Sequence, residues 1–400
     1  MSVAHPNIAI SVSLVYYRNM HQVIQRYLDI GSELTHGKTL VILGPRRVGK
    51  TTLLREFLEK TSQRVLSYSG DEVSTQQAFG VADSARLRPL LGSAQVLAID
   101  EAQAIPRIGQ TLKIINDHFP DIAVVVTGSS AFELAGQVGE PLTGRKTTRY
   151  LYPVAVTEML RDAVAPEYDF VQLLPEWLVY GMYPNALTAE SQAQKAEFLR
   201  ELVDSYLLRD ILAYQEVKGS SVLMQLLVLL AHQVGNEVSH TELGRSLHID
   251  KNTVARYLDL LEKSYIIFRL GGFSRNLRSE VTRMPKYYFY DVGVRNAVIG
   301  NFNELSLRDD VGRLWENFMV TERLKARTYN RIYANQYFWR TWKQNEIDLI
   351  EERDGTLYGY EMKWRDKPVS PPAEWLEAYP GKTQWQTVTP QTAWGFLSRD

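Results

Sequence analysis

Gly44-Pro-Arg-Arg-Val-Gly-Lys-Thr51 matches G-x-x-x-x-G-K-[ST] at every fixed position. The apolar run Thr39-Leu-Val-Ile-Leu43 before it reads as a buried strand, and Thr52-Leu-Leu-Arg-Glu-Phe-Leu-Glu-Lys60 after it reads as a helix. Strand, glycine loop and helix are the context this motif requires. The backbone N–H groups of Gly44, Pro45, Arg46, Arg47, Val48 and Gly49 (proline lacking one), with the helix start at Thr51 and Thr52, are expected to cradle phosphates. Lys50 is expected at the β- and γ-phosphates, and the Thr51 hydroxyl on Mg2+. A chance glycine turn before a helix is the competing reading, and it does not require all four fixed positions.

A second stretch supports the first. Val96-Leu-Ala-Ile-Asp-Glu101 is an apolar run ending in two acids, the pattern of a buried parallel strand with carboxylates at its C-terminal edge. Asp100 suits the holding of Mg2+, and Glu101 suits the polarisation of an attacking water. Phosphoryl transfer asks mainly for such positioning and charge. A third strand, Ile122-Ala-Val-Val-Val-Thr-Gly-Ser-Ser130, ends in small polar residues, with Thr127 and Ser129 as candidate γ-phosphate sensors. Farther on, Arg145 and Arg149 are candidates for an arginine finger, in cis or across a subunit boundary; a solvated basic loop is the competing reading.

Bulk properties bound the rest. The chain has 400 residues, 45% hydrophobic and 23% charged, so two to four soluble globular domains are expected. A net charge of −1 argues against a uniformly basic nucleic-acid binder while allowing local basic patches. The absence of cysteine excludes disulfides, cysteine-ligated zinc and thiol catalysis, and is compatible with a cytoplasmic location. The longest apolar stretch, Val222 to Ala231, is too short to span a bilayer, and no secretory signal is evident, so no membrane partner is expected.

The chain reads in five parts. Residues 1–35 form a lead-in with a helix expected over Tyr17–Leu28. Residues 36–155 carry the strand–helix alternation of a nucleotide-binding core. Residues 156–220 turn helical and suggest a lid, with Arg209 on its last helix. Residues 221–290 read as a winged helix. Ser239 caps a helix from Thr241 to Leu247 with Glu242 three residues on, His248-Ile-Asp250 turns, and Lys251 to Lys263 forms the recognition helix. Strands over Tyr265–Leu270 and Lys286–Tyr290 flank a basic wing of Arg275, Arg278, Arg283 and Lys286. Such modules contact double-stranded DNA or another protein, and both readings stay open.

Residues 291–400 offer a second candidate site. Glu346-Ile-Asp-Leu-Ile350 and Leu357-Tyr-Gly-Tyr-Glu-Met-Lys-Trp364 read as strands joined by a turn at Arg353-Asp-Gly355. Glu361 and Lys363 share one face, and Asp348 joins it from the partner strand. D…E-x-K is the core of restriction-endonuclease-like folds. There the carboxylates hold a further Mg2+ or Mn2+, and the lysine orients the attacking water. Glu316, on a helix expected over Gly312–Glu322, can supply an additional ligand. Acids and lysines on an exposed hairpin face are the competing reading.

With both ends in view, the chain resembles a prokaryotic family of AAA-type ATPases with a C-terminal winged-helix and PD-(D/E)XK nuclease-like domain of unassigned role. The resemblance rests on Leu43 to Leu53, Ile99-Asp-Glu-Ala-Gln103, Thr127 to Ala131, Gly144-Arg145 with Leu151 to Val154, Lys286 to Gly293, Gly312 to Phe318 and Glu346 to Ile350. It implies an α/β fold: a P-loop AAA-type parallel sheet with a helical lid, then a winged helix and an α/β restriction-endonuclease-like domain. It also implies ATP as ligand. Two functions compete: an Mg2+-dependent ATPase acting on or regulated by DNA, or a nucleotide-controlled switch or scaffold that binds a protein partner or itself and carries an inactive nuclease fold.

Overall fold

A computed structural model describes residues 24–129, 142–207, 220–275, 284–343, 345–381 and 383–398. Residues 1–23, Ser130, Ala131, Arg209, Arg278 and Arg283 of the sequence reading lie outside the described residues. The chain divides into two compact units, one of residues 26–153 with 259–266, the other of 154–258 with 267–400.

The first unit is a five-stranded parallel sheet in the order β2-β3-β4-β1-β5, with β1 Thr39–Leu43, β2 Val65–Ser69, β3 Val96–Asp100, β4 Ala123–Gly128 and β5 Lys146–Tyr150. The central strands are apolar on both faces because helices cover both, and β1 and β4 are buried throughout. Helix α1, Lys50–Lys60, follows β1 directly, and α2, Ile108–His118, lies between β3 and β4. The crossover places the C-terminal ends of β1, β3 and β4 side by side, where Leu43, Asp100 and Gly128 end their strands.

The lead-in departs from expectation. Its described residues 24–28 are not helical. Arg26 instead spends its guanidinium on the Val48 carbonyl (2.8 Å) and the Tyr152 carbonyl (2.6 Å), tying the segment across the base of the glycine loop.

The second unit contains α3, Pro166–Tyr180, and α4, Gln192–Glu201, the helices read as a lid. They belong with the C-terminal half of the chain, not with the nucleotide core. Asn296 donates to the Leu178 and Val179 carbonyls (both 2.9 Å), and Asp291 accepts from the Met182 N–H (2.7 Å), which fastens the end of α3 to the segment after β7. Next come α5 Ser220–His232, α6 His240–Leu247 and α7 Lys251–Lys263, of which residues 251–258 fall in this unit. Ser239 accepts from the Glu242 N–H as the cap of α6, and Asp250 accepts from the Asn252 and Thr253 N–H groups as the cap of α7. Two helices therefore form at these positions, each with a side-chain cap.

The strands expected for the wing, β6 Ile267–Gly272 and β7 Lys286–Phe289, join a larger sheet instead of standing apart. Its order is β11-β10-β9-β8-β6-β7, with β8 Asn335–Arg340, β9 Glu346–Arg353, β10 Thr356–Met362 and β11 Thr383–Val388. Gly271 and Gly272 of β6 pair in parallel with Tyr337 and Phe338 of β8, so a boundary at residue 290 cannot separate two domains. β9 and β10 are joined through Asp354 and Gly355, both at positive φ (47° and 72°), as an Asp-Gly hairpin turn demands. Helix α8, Val292–Val298, and the 20-residue α9, Val311–Asn330, complete the unit. An aromatic cluster of Phe273, Trp339, Trp375 and Tyr379 fills one side of the sheet. Among the described residues no helix is long and apolar enough to cross a membrane.

Candidate functional site

The loop Gly44–Gly49 leaves β1 and enters α1 through Gly49, which sits at φ 97° as the helix N-cap. A side chain there would be strained, so glycine is required for the loop to present its N–H groups inward. Gly44 is needed for room: a Cβ would stand 2.0 Å from the Leu151 carbonyl oxygen. Lys50 is buried and donates to the Gly44 and Pro45 carbonyls, both at 2.8 Å, so its ammonium curls over the loop. Thr51 is exposed, and its hydroxyl donates to Asp100 Oδ2 at 2.7 Å. Thr52 is also exposed, one residue farther into α1.

Asp100 is held from its other side by the Thr127 hydroxyl. That hydroxyl also accepts from the Glu101 N–H at 3.0 Å, so one threonine of β4 fixes both acids. Glu101 adopts φ 48°, a left-handed conformation that turns its side chain away from the strand direction. Gln103 donates its amide N–H groups to Glu101 Oε2 and, at 3.2 Å, to Ser129 Oγ. The structure thus brings Lys50, Thr51, Asp100, Glu101 and Ser129 to one sheet edge. Sequence reasoning assigned no role to Gln103 or Arg26. The signal for Gln103 was its place two residues after the second acid; for Arg26 there was none, because its partners are backbone carbonyls.

Arg145 is not brought there. Its carbonyl accepts from the Thr39 N–H (2.9 Å), at the start of β1, and its guanidinium pairs with Asp117 at 2.5 Å. The four steps of β1 from Thr39 to Leu43 place it roughly 13 Å or more from the loop, at the opposite edge of the sheet. A finger role for Arg145 in cis is therefore corrected. Arg149, in register with Ile42, pairs with Glu33 at 2.7 Å.

The second polar cluster lies in the C-terminal sheet. Asp348 of β9 accepts from the Met362 N–H at 2.8 Å, and Lys363 donates to Glu361 Oε1 at 2.7 Å. Burial first, then the charges of Glu316 and Glu361, push the Asp348 carboxyl well above the usual carboxylate range. Burial likewise raises Glu361, against the pull of Lys363. Glu361 Oε2 is buried without a hydrogen-bond partner. Glu316 has other company than a metal: Lys286 Nζ lies 3.2 Å from its Oε1, and the Tyr288 hydroxyl donates to the same atom at 2.6 Å. Lys286 also pairs with Glu346. Burial alone would lower the Lys286 ammonium, but Glu316, Asp348 and Glu346 together hold it above the usual range. Among the described residues no three acidic or histidine side chains converge as a metal-holding group.

Residues 36–160 match a family described as AAA domain, residues 171–305 a domain of unknown function (DUF8612) and residues 311–377 a domain of unknown function (DUF4143). An uncharacterized protein of Mycobacterium tuberculosis is 29% identical over 374 residues, covering 92% of this chain and 78% of that protein. One from Haemophilus influenzae is 27% identical over 279 residues (65% of this chain, 69% of that protein). One from Methanocaldococcus jannaschii is 23% identical over 374 residues (86% and 79%). The AAA-domain match spans the loop and acid pair just described and supports an AAA-type P-loop ATPase domain over residues 36–160.

Proposed function

We propose that the chain binds ATP with Mg2+ at the Gly44–Thr51 loop and hydrolyses it, and that double-stranded DNA bound by α6 and α7 regulates the rate. The observation that carries the first part is the Thr51–Asp100 contact at 2.7 Å, which sets two hard oxygen donors side by side at the loop. Those two donors suit Mg2+, which when bound neutralises charge on the phosphate oxygens. Lys50, released from the Gly44 and Pro45 carbonyls, supplies a cation to the β- and γ-phosphates. The loop N–H groups and the start of α1 hold the remaining phosphate oxygens. Glu101 orients the attacking water and accepts its proton, while Ser129 reports on the γ-phosphate.

The DNA part rests on α7. Lys251, Asn252 and Arg256 are exposed near its N-terminus, where groove-reading side chains belong, and Arg245 and His248 border the same turn. The test is ATP hydrolysis with and without double-stranded DNA. Lys50→Ala is expected to lower the rate about 10³-fold and Glu101→Gln about 10²-fold. Unchanged hydrolysis in Lys50→Ala overturns the ATPase reading. DNA stimulation is expected to fall in Lys251→Ala, with the salt dependence of binding reduced by about one unit of slope. No DNA effect on the wild-type rate would point α6 and α7 toward a protein partner.

A further inference from the structure

We infer that the carboxylate cluster of the C-terminal sheet holds Lys286 as its resident cation and takes no divalent metal. The inference stands apart from the nucleotide site. Lys286 lies on β7, its side chain wholly shielded from water, with Glu316 of α9 at 3.2 Å and Glu346 of β9 as ion-pair partners. Its ammonium also faces the Phe338 ring, 5.3 Å from the centroid. Three elements therefore converge on one ammonium group.

One oxygen of each residue expected to ligate metal is taken in the same arrangement. Glu316 Oε1 takes both Lys286 and the Tyr288 hydroxyl. Glu316 Oε2 faces Gly235, where an added Cβ would stand 2.7 Å from it. Asp348 Oδ2 is taken by the Met362 N–H, and Glu361 Oε1 by Lys363. A divalent ion of the Mg2+ or Mn2+ type asks for several oxygens in a near-octahedral shell. Here it would also meet a buried ammonium of like charge, in surroundings too dry to screen the repulsion. The atom that argues the other way is Glu361 Oε2, buried and without a hydrogen-bond partner. Beside Asp348 it offers two carboxylates, a number that Mg2+ can use with waters, so the exclusion of metal rests on the buried ammonium and not on a shortage of carboxylates. On this inference the sheet retains the D…E-x-K arrangement as a charge-balanced scaffold, and metal-dependent cleavage of nucleic acid is not its role.

The experiment counts Mn2+ bound to the full chain without nucleotide, by electron paramagnetic resonance of the free ion. Wild type and Asp348→Asn are expected to bind alike. Lys286→Ala is expected to gain one Mn2+ site per chain, at least tenfold tighter than any in wild type. That site should be lost again in Lys286→Ala with Asp348→Asn. A wild-type site that Asp348→Asn weakens tenfold or more overturns the inference. So does Mn2+-dependent plasmid nicking that Asp348→Asn abolishes. If Lys286→Ala folds, by its circular dichroism, and gains no site, the inference also falls. If it does not fold, the comparison of wild type with Asp348→Asn decides alone.

Discussion

Lys50 and Lys286 are both buried, at 4% and 0% exposure, yet they are held by opposite means. Lys50 rests on two backbone carbonyls of its own loop, partners that attract an ammonium without neutralising it. Lys286 is ion-paired to two carboxylates brought from different elements. A cation resting on carbonyl dipoles can exchange them for a more negative ligand at modest cost. A cation already matched by carboxylates has little to gain from moving and much to lose. On the function proposed above, the first arrangement suits a polyanion, and on the inference drawn from the C-terminal sheet the second is a fixture of the fold. This contrast makes the two sites respond differently to the loss of the same residue type.

The largest difference is expected in Lys50→Ala. Hydrolysis should fall about 10³-fold, while the urea midpoint of the nucleotide-free protein moves little, since the loop carbonyls freed by the change can turn to water. A large loss of stability in this variant would break the contrast. Lys286→Met should behave in the reverse way. Removing one partner of a buried charge cluster leaves Glu316 and Glu346 facing each other and Asp348, at a cost of about 3 to 4 kcal/mol in urea denaturation. A loss under about 1 kcal/mol would show that the carboxylates are easily rehydrated and that Lys286 is no fixture.

A pH series sharpens the same point from another buried charge of the second unit. Burial pushes the Asp291 carboxyl up to about 6 from 3.8, against the Met182, Val294 and Gly293 N–H groups and Lys325, which pull it down. The folded form therefore binds more protons than the unfolded form between about pH 4 and 6. The contribution of Asp291 to stability is fully present below that window and is lost as pH rises through it, by on the order of 3 kcal/mol. The difference in unfolding free energy between wild type and Asp291→Asn, measured from pH 4 to 7, should shift in favour of the variant as pH rises. A constant difference would contradict the raised carboxyl.

How much of this was legible in the sequence follows from what each residue needs as a partner. The glycine loop, the acids of β3 and the helix–turn–helix depend on neighbours within a few residues, and their spacing showed them. Asp354-Gly355 announced its hairpin for the same reason. The helices of 156–220 looked like a lid because their pattern is helical, but what they pack on is fixed by Asp291 and Asn296, more than a hundred residues later. Lys286 was read as part of a basic wing, since no local pattern tells an exposed lysine from one enclosed by β9 and α9. Arg145 was a candidate finger, in cis or across a subunit boundary, because it sits in a basic stretch with Arg149. Only strand register shows that it stands at the wrong edge of the sheet.

The smallest expected effect concerns Gln103. Its amide bonds Glu101 and Ser129 at once, so it fixes where the Glu101 carboxylate stands relative to the Ser129 hydroxyl. It donates to the proposed base without itself exchanging a proton, so its loss should act through the position of Glu101. Gln103→Ala is expected to lower kcat about tenfold with KM for ATP little changed, a cost near 1.4 kcal/mol at the transition state. Gln103→Glu sets a like charge beside Glu101 and should lower kcat further while raising the pH of half-maximal activity. A rise in KM with kcat intact would instead place Gln103 in ground-state binding of nucleotide. The contrast between the two lysines would survive that result, but Ser129 and Glu101 would no longer act as a pair.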